Sequence, residues 1–355
     1  MRRFAAVVVL AVTALAGLVP GGSVATALPQ GARVDLYRGD LDFPVDMAWV
    51  PGSKRLFFTE KVTGRIRVMV KGRLLARPCA DLDVSGSGER GALGIVLHPR
   101  FERNHFLYVY YTNREPLHNR VARFRVRENR CRAKRDIVKG LPTKGATNHN
   151  GGQLVFVGGK LFVSTGDAAD RATAQDLDTR LGKILRYNPD GSIPDGNPFS
   201  EAGDRSPVWS YGHRNPFGLA VRPGTGQLFE TENGESCDDE LNRIRRGANY
   251  GWGNGYRCGT AGVGPDPRGP IRRWSSIIVP TDAWWYEGRM KSLSGSLYVG
   301  AFDGDLHRLF VNSKGTRVRR DRVVHSTGDG IVDVSKGPGG WLYFMTPSAI
   351  YRILP

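Results

Sequence analysis

The chain comprises 355 residues, 40% hydrophobic and 24% charged, a balance that excludes wholesale disorder. Four cysteines cannot be the main scaffold at this length, so a large buried core must hold the fold. The formal charge of +17 suits a solvated basic surface or attraction to an anionic cell-surface polymer. No module interleaves basic residues with stacking aromatics, so a nucleic-acid partner is not expected.

At the N-terminus, Arg2 and Arg3 precede an apolar run over residues 4–19, and Ala25-Thr26-Ala27 stands just before Leu28. This order predicts a secretory signal peptide over residues 1–27 and an exported, extracellular mature chain from Leu28. The run is shorter than the ~20 residues a spanning helix needs, and no later stretch is apolar for long enough, so no membrane span is expected in the mature chain. Export puts Cys79, Cys131, Cys237 and Cys258 where thiols oxidise. Of the three possible connectivities, Cys79–Cys131 and Cys237–Cys258 are favoured, because each pair falls within one repeat unit or its neighbour. A four-cysteine zinc site lacks the close spacing it would need.

From residue 33 onward the sequence repeats. A strand-like segment of Leu with aromatic and β-branched residues recurs six times, with its leading residue at Leu56, Leu107, Leu161, Leu228, Leu297 and Leu342. Most copies follow another apolar strand and a Gly- or Pro-containing turn. Each precedes a third strand built around an Arg, such as Ile66-Arg67-Val68 or Tyr351-Arg352-Ile353. Long amphipathic helical patterns are absent. Short strands, Gly-rich turns and a period near 55 residues predict an all-β fold, a six-bladed β-propeller over residues 28–355. The sixth unit lacks a fourth strand, and residues 33–37 read as an unassigned one. Pairing it there closes the ring and removes a free sheet edge.

In such a fold the loops entering the first strand and leaving the second strand of each blade share a face. Polar residues concentrate in those loops. Entering loops carry Glu89-Arg90-Gly91, Asn148-His149-Asn150-Gly151-Gly152 and Gly212-His213-Arg214-Asn215-Pro216. Leaving loops carry Glu60-Lys61, Gly166-Asp167 and Glu232-Asn233-Gly234-Glu235. The set suggests proton abstraction by His149, oriented by Asp167, with Arg214 stabilising developing negative charge. Taken singly, a Gly-Asp pair reads as a turn and His213 as a structural histidine.

These residues carry a resemblance. Gly88-Glu89-Arg90-Gly91-Ala92-Leu93-Gly94, His149-Asn150-Gly151-Gly152, Gly166-Asp167, Trp209-Ser210-Tyr211-Gly212-His213-Arg214-Asn215-Pro216, Asp239-Glu240-Leu241-Asn242 and Asn249-Tyr250-Gly251-Trp252 follow one another as in the soluble pyrroloquinoline-quinone (PQQ)-dependent aldose dehydrogenases, or glucose/sorbosone dehydrogenases. The resemblance spans nearly all the mature chain and implies a six-bladed propeller. It implies that PQQ with Ca2+ lies across the mouth, that an aldose gives its C1 proton to His149 and its hydride to the quinone, and that the products are a lactone and a reduced cofactor serving an external electron acceptor. It further implies that Asp167 orients His149, and that Glu89, Arg214, Asn215 and Asn233 meet the cofactor. Gly234 and Glu235 would hold Ca2+ through backbone carbonyls, and Glu240 and Tyr250 a further Ca2+. Oxygen ligands suit that ion.

The chain also departs from the family. Where members carry an Arg-x-Arg pair and a Lys for the PQQ carboxylates, it reads Gly330-Ile331-Val332 and Gly300-Ala301-Phe302-Asp303, and Glu89 replaces a Gln. Lys61, Lys336 and His325 are the candidates to compensate. The departures keep open a non-catalytic propeller that binds carbohydrate or protein. A lactone hydrolase on the same fold would hold a central Ca2+ with carboxylates and would not need the His-Arg-Asn set.

Overall fold

The computed structural model describes residues 28–200 and 205–355; the expected signal peptide, residues 1–27, lies outside the described residues. Six antiparallel sheets form the six blades of a β-propeller, each with its first strand innermost. The inner strands are Pro44–Trp49, Ala92–Leu97, Leu154–Val157, Pro216–Val221, Pro280–Tyr286 and Asp333–Lys336. The recurring Leu-aromatic segments form the second strands, from Arg55–Glu60 in blade 1 to Leu342–Met345 in blade 6. Their side chains are almost wholly buried (Leu56, Phe57, Phe58, Leu107, Leu161, Leu297 and Phe344 among them), because both faces of each sheet pack against neighbouring blades.

The ring closes as the sequence predicts. Arg33–Arg38 is the outermost strand of blade 6, antiparallel to Ile350–Leu354, with Val34 opposite Ile353 and Leu36 opposite Tyr351. Arg352 Nε donates to Asp35 Oδ2 at 2.7 Å, and Arg33 bonds the carbonyl of Pro355. Blade 1 departs from the pattern: its third strand, Arg65–Val70, pairs with two short pieces, Arg73–Leu74 and Ala80–Asp81, in place of a full fourth strand. The wider repeat spacings of blades 3 and 4 come from insertions. Blade 3 inserts the helix Arg171–Gln175, capped by Asp170 through the Ala172 N–H, and blade 4 has a long loop before Arg272–Trp274.

Both disulfides form in the favoured pairing, Cys79–Cys131 across blades 1 and 2 and Cys237–Cys258 within blade 4. No helix among the described residues is long and apolar enough to cross a membrane.

Around the axis the inner strands present edge N–H groups that have no ladder partner on that side. Carboxylates of preceding blades satisfy three of them. Asp282 Oδ2 accepts from Val334 N (3.4 Å), Asp333 Oδ2 from Met47 N (2.7 Å) and Asp46 Oδ2 from Ile95 N (2.7 Å), linking blades 5, 6, 1 and 2. Gln153 Nε2 donates to Asp282 Oδ1 at 2.9 Å. A cavity of about 490 Å³ extends from these aspartates along the inner strands towards Trp49, Pro99, Trp284 and Lys336.

Candidate active site

The entering and leaving loops of blades 2, 3 and 4 meet at one mouth, away from that cavity. His149 and Asp167 flank the first two strands of blade 3. His149 adopts a left-handed backbone (φ 56°), and its carbonyl passes so close to Gly166 that a Cβ there would sit 2.1 Å from it. Only glycine permits this approach, which carries Asp167 under the imidazole. His149 Nδ1 lies 2.6 Å from Asp167 Oδ1. The carboxylate is wholly buried and also accepts from Ala169 N (2.8 Å) and Trp252 Nε1 (2.7 Å). Surrounded by donors, it takes the imidazole Nδ1 as a third, so Nδ1 carries hydrogen and Nε2 is the nitrogen able to receive a proton.

Two carboxylates brace the neighbouring loops. Glu89 Oε2 accepts from His149 N (2.7 Å) and from Asn215 Nδ2 (3.0 Å). Asn215 Oδ1 in turn accepts from Gly151 N (3.3 Å), so the entering loops of blades 2, 3 and 4 are bonded together. Glu232 Oε1 accepts from the backbone N–H groups of Arg214 and Asn215, each at 2.7 Å. Its Oε2 lies 2.9 Å from His213 Nδ1, and the far side of that ring meets Ser210 Oγ at 2.9 Å. His213 is fully buried and stacked on Tyr250; its role is structural.

Arg214 stands over Trp252, its guanidinium 5.4 Å from the ring, and Arg171 lies over the same ring at 4.7 Å. Arg214 donates to the Asn233 carbonyl at 2.9 Å, and Arg171 pairs with Glu235. Burial pulls the Arg214 pKa down, while Asp167, Glu232, Glu235 and Glu89 pull it back up. Burial likewise lowers Lys61, which Glu89 partly offsets; its ammonium bonds the Gly86 carbonyl at 3.2 Å. Trp252 and Arg171 stand at the mouth, and sequence reasoning gave neither a role. Trp252 stood in a quoted motif, whereas Arg171 carried no signal at all.

Among the described residues of the mouth loops, Arg214 Nε and Asn233 Oδ1 are buried without partners, as are Arg90 Nε and Nη2 in the entering loop of blade 2. An unpaired donor and an unpaired acceptor beside His149 fit a polar, carboxylated quinone such as PQQ on blades 1 to 4. Blades 5 and 6 do not offer the same: where family cations would stand, the exposed Phe302 ring covers Gly330, and Asp303 brings a carboxylate. Two suggested substitutes lie elsewhere. Lys336 ends the inner strand of blade 6 along the 490 Å³ cavity and donates to the Glu287 carbonyl. His325 is on the outermost strand of blade 5, against Phe344. Lys61 alone remains beside the mouth.

The expected calcium residues cluster. Gly234, Glu240 and Tyr250, with Glu232, Asp238 and Tyr256, line a cavity of about 20 Å³, room for one water-sized particle. Burial, with the Glu232 charge adding to it, pushes Glu240 up to about 8, and Glu230 is also pushed up. Arg273 lies 3.2 Å from Glu240 and 3.6 Å from Asp238, and Arg214 also lines the cavity, so its oxygen donors stand beside two arginines. Glu235 turns its side chain away to Arg171, leaving only its backbone for the expected calcium role.

The ring of six blades, with a buried His–Asp pair and an arginine at its mouth, defines a class: six-bladed propellers with a polar site built from the loops of one face. The sequence profile of the glucose/sorbosone dehydrogenase family matches residues 41–354, and the chain belongs to that family. It is 32% identical to aldose sugar dehydrogenase YliI of Escherichia coli over 96% of both chains. Among solved structures it resembles the PQQ-bound aldose sugar dehydrogenase of Streptomyces coelicolor, with a TM-score of 0.78 and 29% identity, over 92% of this chain and 99% of that one. About half of the chain (48%) also aligns at 29% identity with 29% of human Hedgehog-interacting protein.

Proposed function

We propose that this chain is an exported PQQ-dependent aldose dehydrogenase. The observation carrying the reading is the His149–Asp167 pair at 2.6 Å, which leaves Nε2 at a mouth shared with Arg214 and Asn215. The PQQ-bound relative supports the cofactor, and YliI supports the aldose. When bound, PQQ supplies a quinone that takes two electrons as hydride from the sugar and later gives them to an external acceptor.

This chain's residues do the rest. His149 Nε2 takes the proton of the C1 hydroxyl, and Asp167 fixes the ring and balances the imidazolium that forms. Asp167 is held in turn by Trp252 Nε1 and Ala169 N. Arg214 places positive charge where negative charge develops, and Trp252 keeps its guanidinium flat. Asn215, Asn233 and Lys61 would hold the cofactor, with Glu89 setting the position of His149 and Asn215. Gly234 and Glu235 offer carbonyls to the cofactor's Ca2+, while Glu240 and Tyr250 line the cavity for a second.

The test is dye-linked oxidation of a panel of aldoses by protein loaded with PQQ and Ca2+, in wild type and in His149→Gln. Turnover in the first and its loss in the second is the expected pair of results. Equal rates would refute the role of His149. Phe302 and Asp303 favour a second reading, a propeller that binds carbohydrate without oxidising it, and sugar binding without turnover in loaded protein would select it.

A further inference from the structure

The outer half of blade 2 carries an arrangement that the reaction does not use. Its third strand, His118–Arg127, and its outermost strand, Arg130–Leu141, place three arginine pairs directly opposite one another: Arg127 with Arg130, Arg125 with Arg132, and Arg123 with Arg135. On the third strand these residues alternate with buried Ala122, Phe124 and Val126, so Arg123, Arg125 and Arg127 share one face.

The two ends of this ladder are tethered. Arg123 stacks on Phe106 and donates to the Pro189 carbonyl, and Arg130 donates to the Pro78 carbonyl at 2.7 Å. The other four, Arg125, Arg127, Arg132 and Arg135, are exposed and have no ion pair or side-chain hydrogen bond among the described residues. The nearby Asp136 is engaged by Arg120 and Lys134, leaving Glu128 in the connecting turn.

Like charges facing each other across a sheet destabilise it. Basic residues on an outermost strand do guard an edge against pairing. That need is met by the outermost strand alone, and it leaves the matching arginines on the third strand unexplained. An anion lying along the ladder would relieve the repulsion of both strands. The surface is also rigid: the Cys79–Cys131 disulfide ties the outermost strand to blade 1 between Arg130 and Arg132. Cations fixed before binding lose little entropy when they meet their partner.

We propose that this ladder is a docking surface for a linear anionic polysaccharide. On the third strand Arg123, Arg125 and Arg127 stand two residues apart, about 6.8 Å, a pitch suited to sulfate or carboxylate groups along an extended polymer, while a bulge between Arg132 and Arg135 keeps the outermost strand in step. Among the described residues no exposed aromatic side chain lies between them to stack on bases, and the one exposed apolar residue there, Ala133, is too small to enter a lipid surface. The sequence alone directs attention to Arg317, Arg319, Arg320 and Arg322 of blade 5, but only Arg322 there faces another arginine, Arg308, and Arg320 faces Phe310.

A heparin fragment, as a sulfated polysaccharide probe, tests this by its dissociation constant over a range of sodium chloride concentrations. Replacing Arg125, Arg127, Arg132 and Arg135 by Gln should weaken binding at least ~10-fold at 0.1 M salt, and reduce the log–log salt slope by about three. The Arg317→Gln/Arg319→Gln/Arg320→Gln/Arg322→Gln protein, with the same loss of charge, should keep the wild-type slope. Without probe, the blade 2 variant should melt at or above wild type, because facing repulsion is gone; if it unfolds, the pair Arg125→Gln/Arg132→Gln carries the comparison. Equal losses in both quadruple variants, wild-type binding by the blade 2 variant, or no binding by wild type would overturn the proposal. So would tighter binding of single-stranded DNA or anionic lipid vesicles than of heparin at matched salt.

Discussion

His149 sits in a backbone conformation that side chains rarely adopt, held there by Glu89 from blade 2 and by the glycine that lets Asp167 pass beneath it. His149→Gln should therefore cut turnover by roughly 10²–10⁴-fold while leaving the melting temperature near wild type, read by steady-state rates beside a thermal melt. Trp252→Phe keeps an aromatic ring under the two guanidinium groups but deletes the donor to Asp167. A bond to a charged group contributes about 1.5–3 kcal/mol, so turnover should fall about tenfold or more with PQQ affinity largely retained. Loss of affinity without loss of turnover would mean that Trp252 serves only as a platform. That His149, Asp167, Arg214 and Asn215 meet at one mouth was legible in the sequence, because the loops entering first strands and leaving second strands of a propeller share a face. Glu89 was legible as a site residue, but not as the brace it proves to be. Arg171 was not legible, since its proximity to Trp252 arises from a helix inserted in blade 3 meeting a loop of blade 4. That pairing leaves no local pattern.

At the scale of elements, the repeat made all six second strands readable, because a strand buried on both faces must be apolar along its length. The closing strand was readable because the sixth unit was one strand short. A truncation beginning at Gly39 removes the strand Arg33–Arg38, with its ladder to Ile350–Leu354 and the Arg352–Asp35 pair. The melting temperature should drop by on the order of 10 °C, or the protein should aggregate through the bared edge. Unchanged melting would mean that the ring holds without its closure. Blade 1 was not foreseen in detail. Its fourth strand is split into Arg73–Leu74 and Ala80–Asp81, which the repeat did not show, and the missing length is replaced by the covalent link from Cys79 to blade 2, the pairing that the repeat units favoured.

At the scale of the whole molecule, the axial aspartates connect blades 5, 6, 1 and 2 with no basic partner among the described residues. Burial pushes Asp46, Asp282 and Asp333 up, and mutual repulsion adds to it at Asp46 and Asp333. The folded protein then holds protons that the unfolded chain, with aspartates near 3.9, has already released. Stability from these groups is therefore greatest at low pH and declines as pH rises above about 4, until they ionise in the folded state. Asp333→Asn keeps an acceptor for Met47 N and removes one charge, so its advantage over wild type in denaturant melts should grow from pH 4 to 7. A difference independent of pH would place the repulsion elsewhere. The architecture puts this acidic axis, the basic ladder of blade 2 and the polar mouth on separate parts of one ring, and the proposed function rests on the mouth. Titrating the metal-free protein with PQQ, with and without Ca2+, while following Trp252 fluorescence against the Trp252→Phe protein, tests it most directly. Saturable, Ca2+-dependent quenching at one PQQ per chain, weakened by Arg214→Gln, is expected; absence of PQQ binding at every Ca2+ concentration would mean that the mouth is no PQQ site.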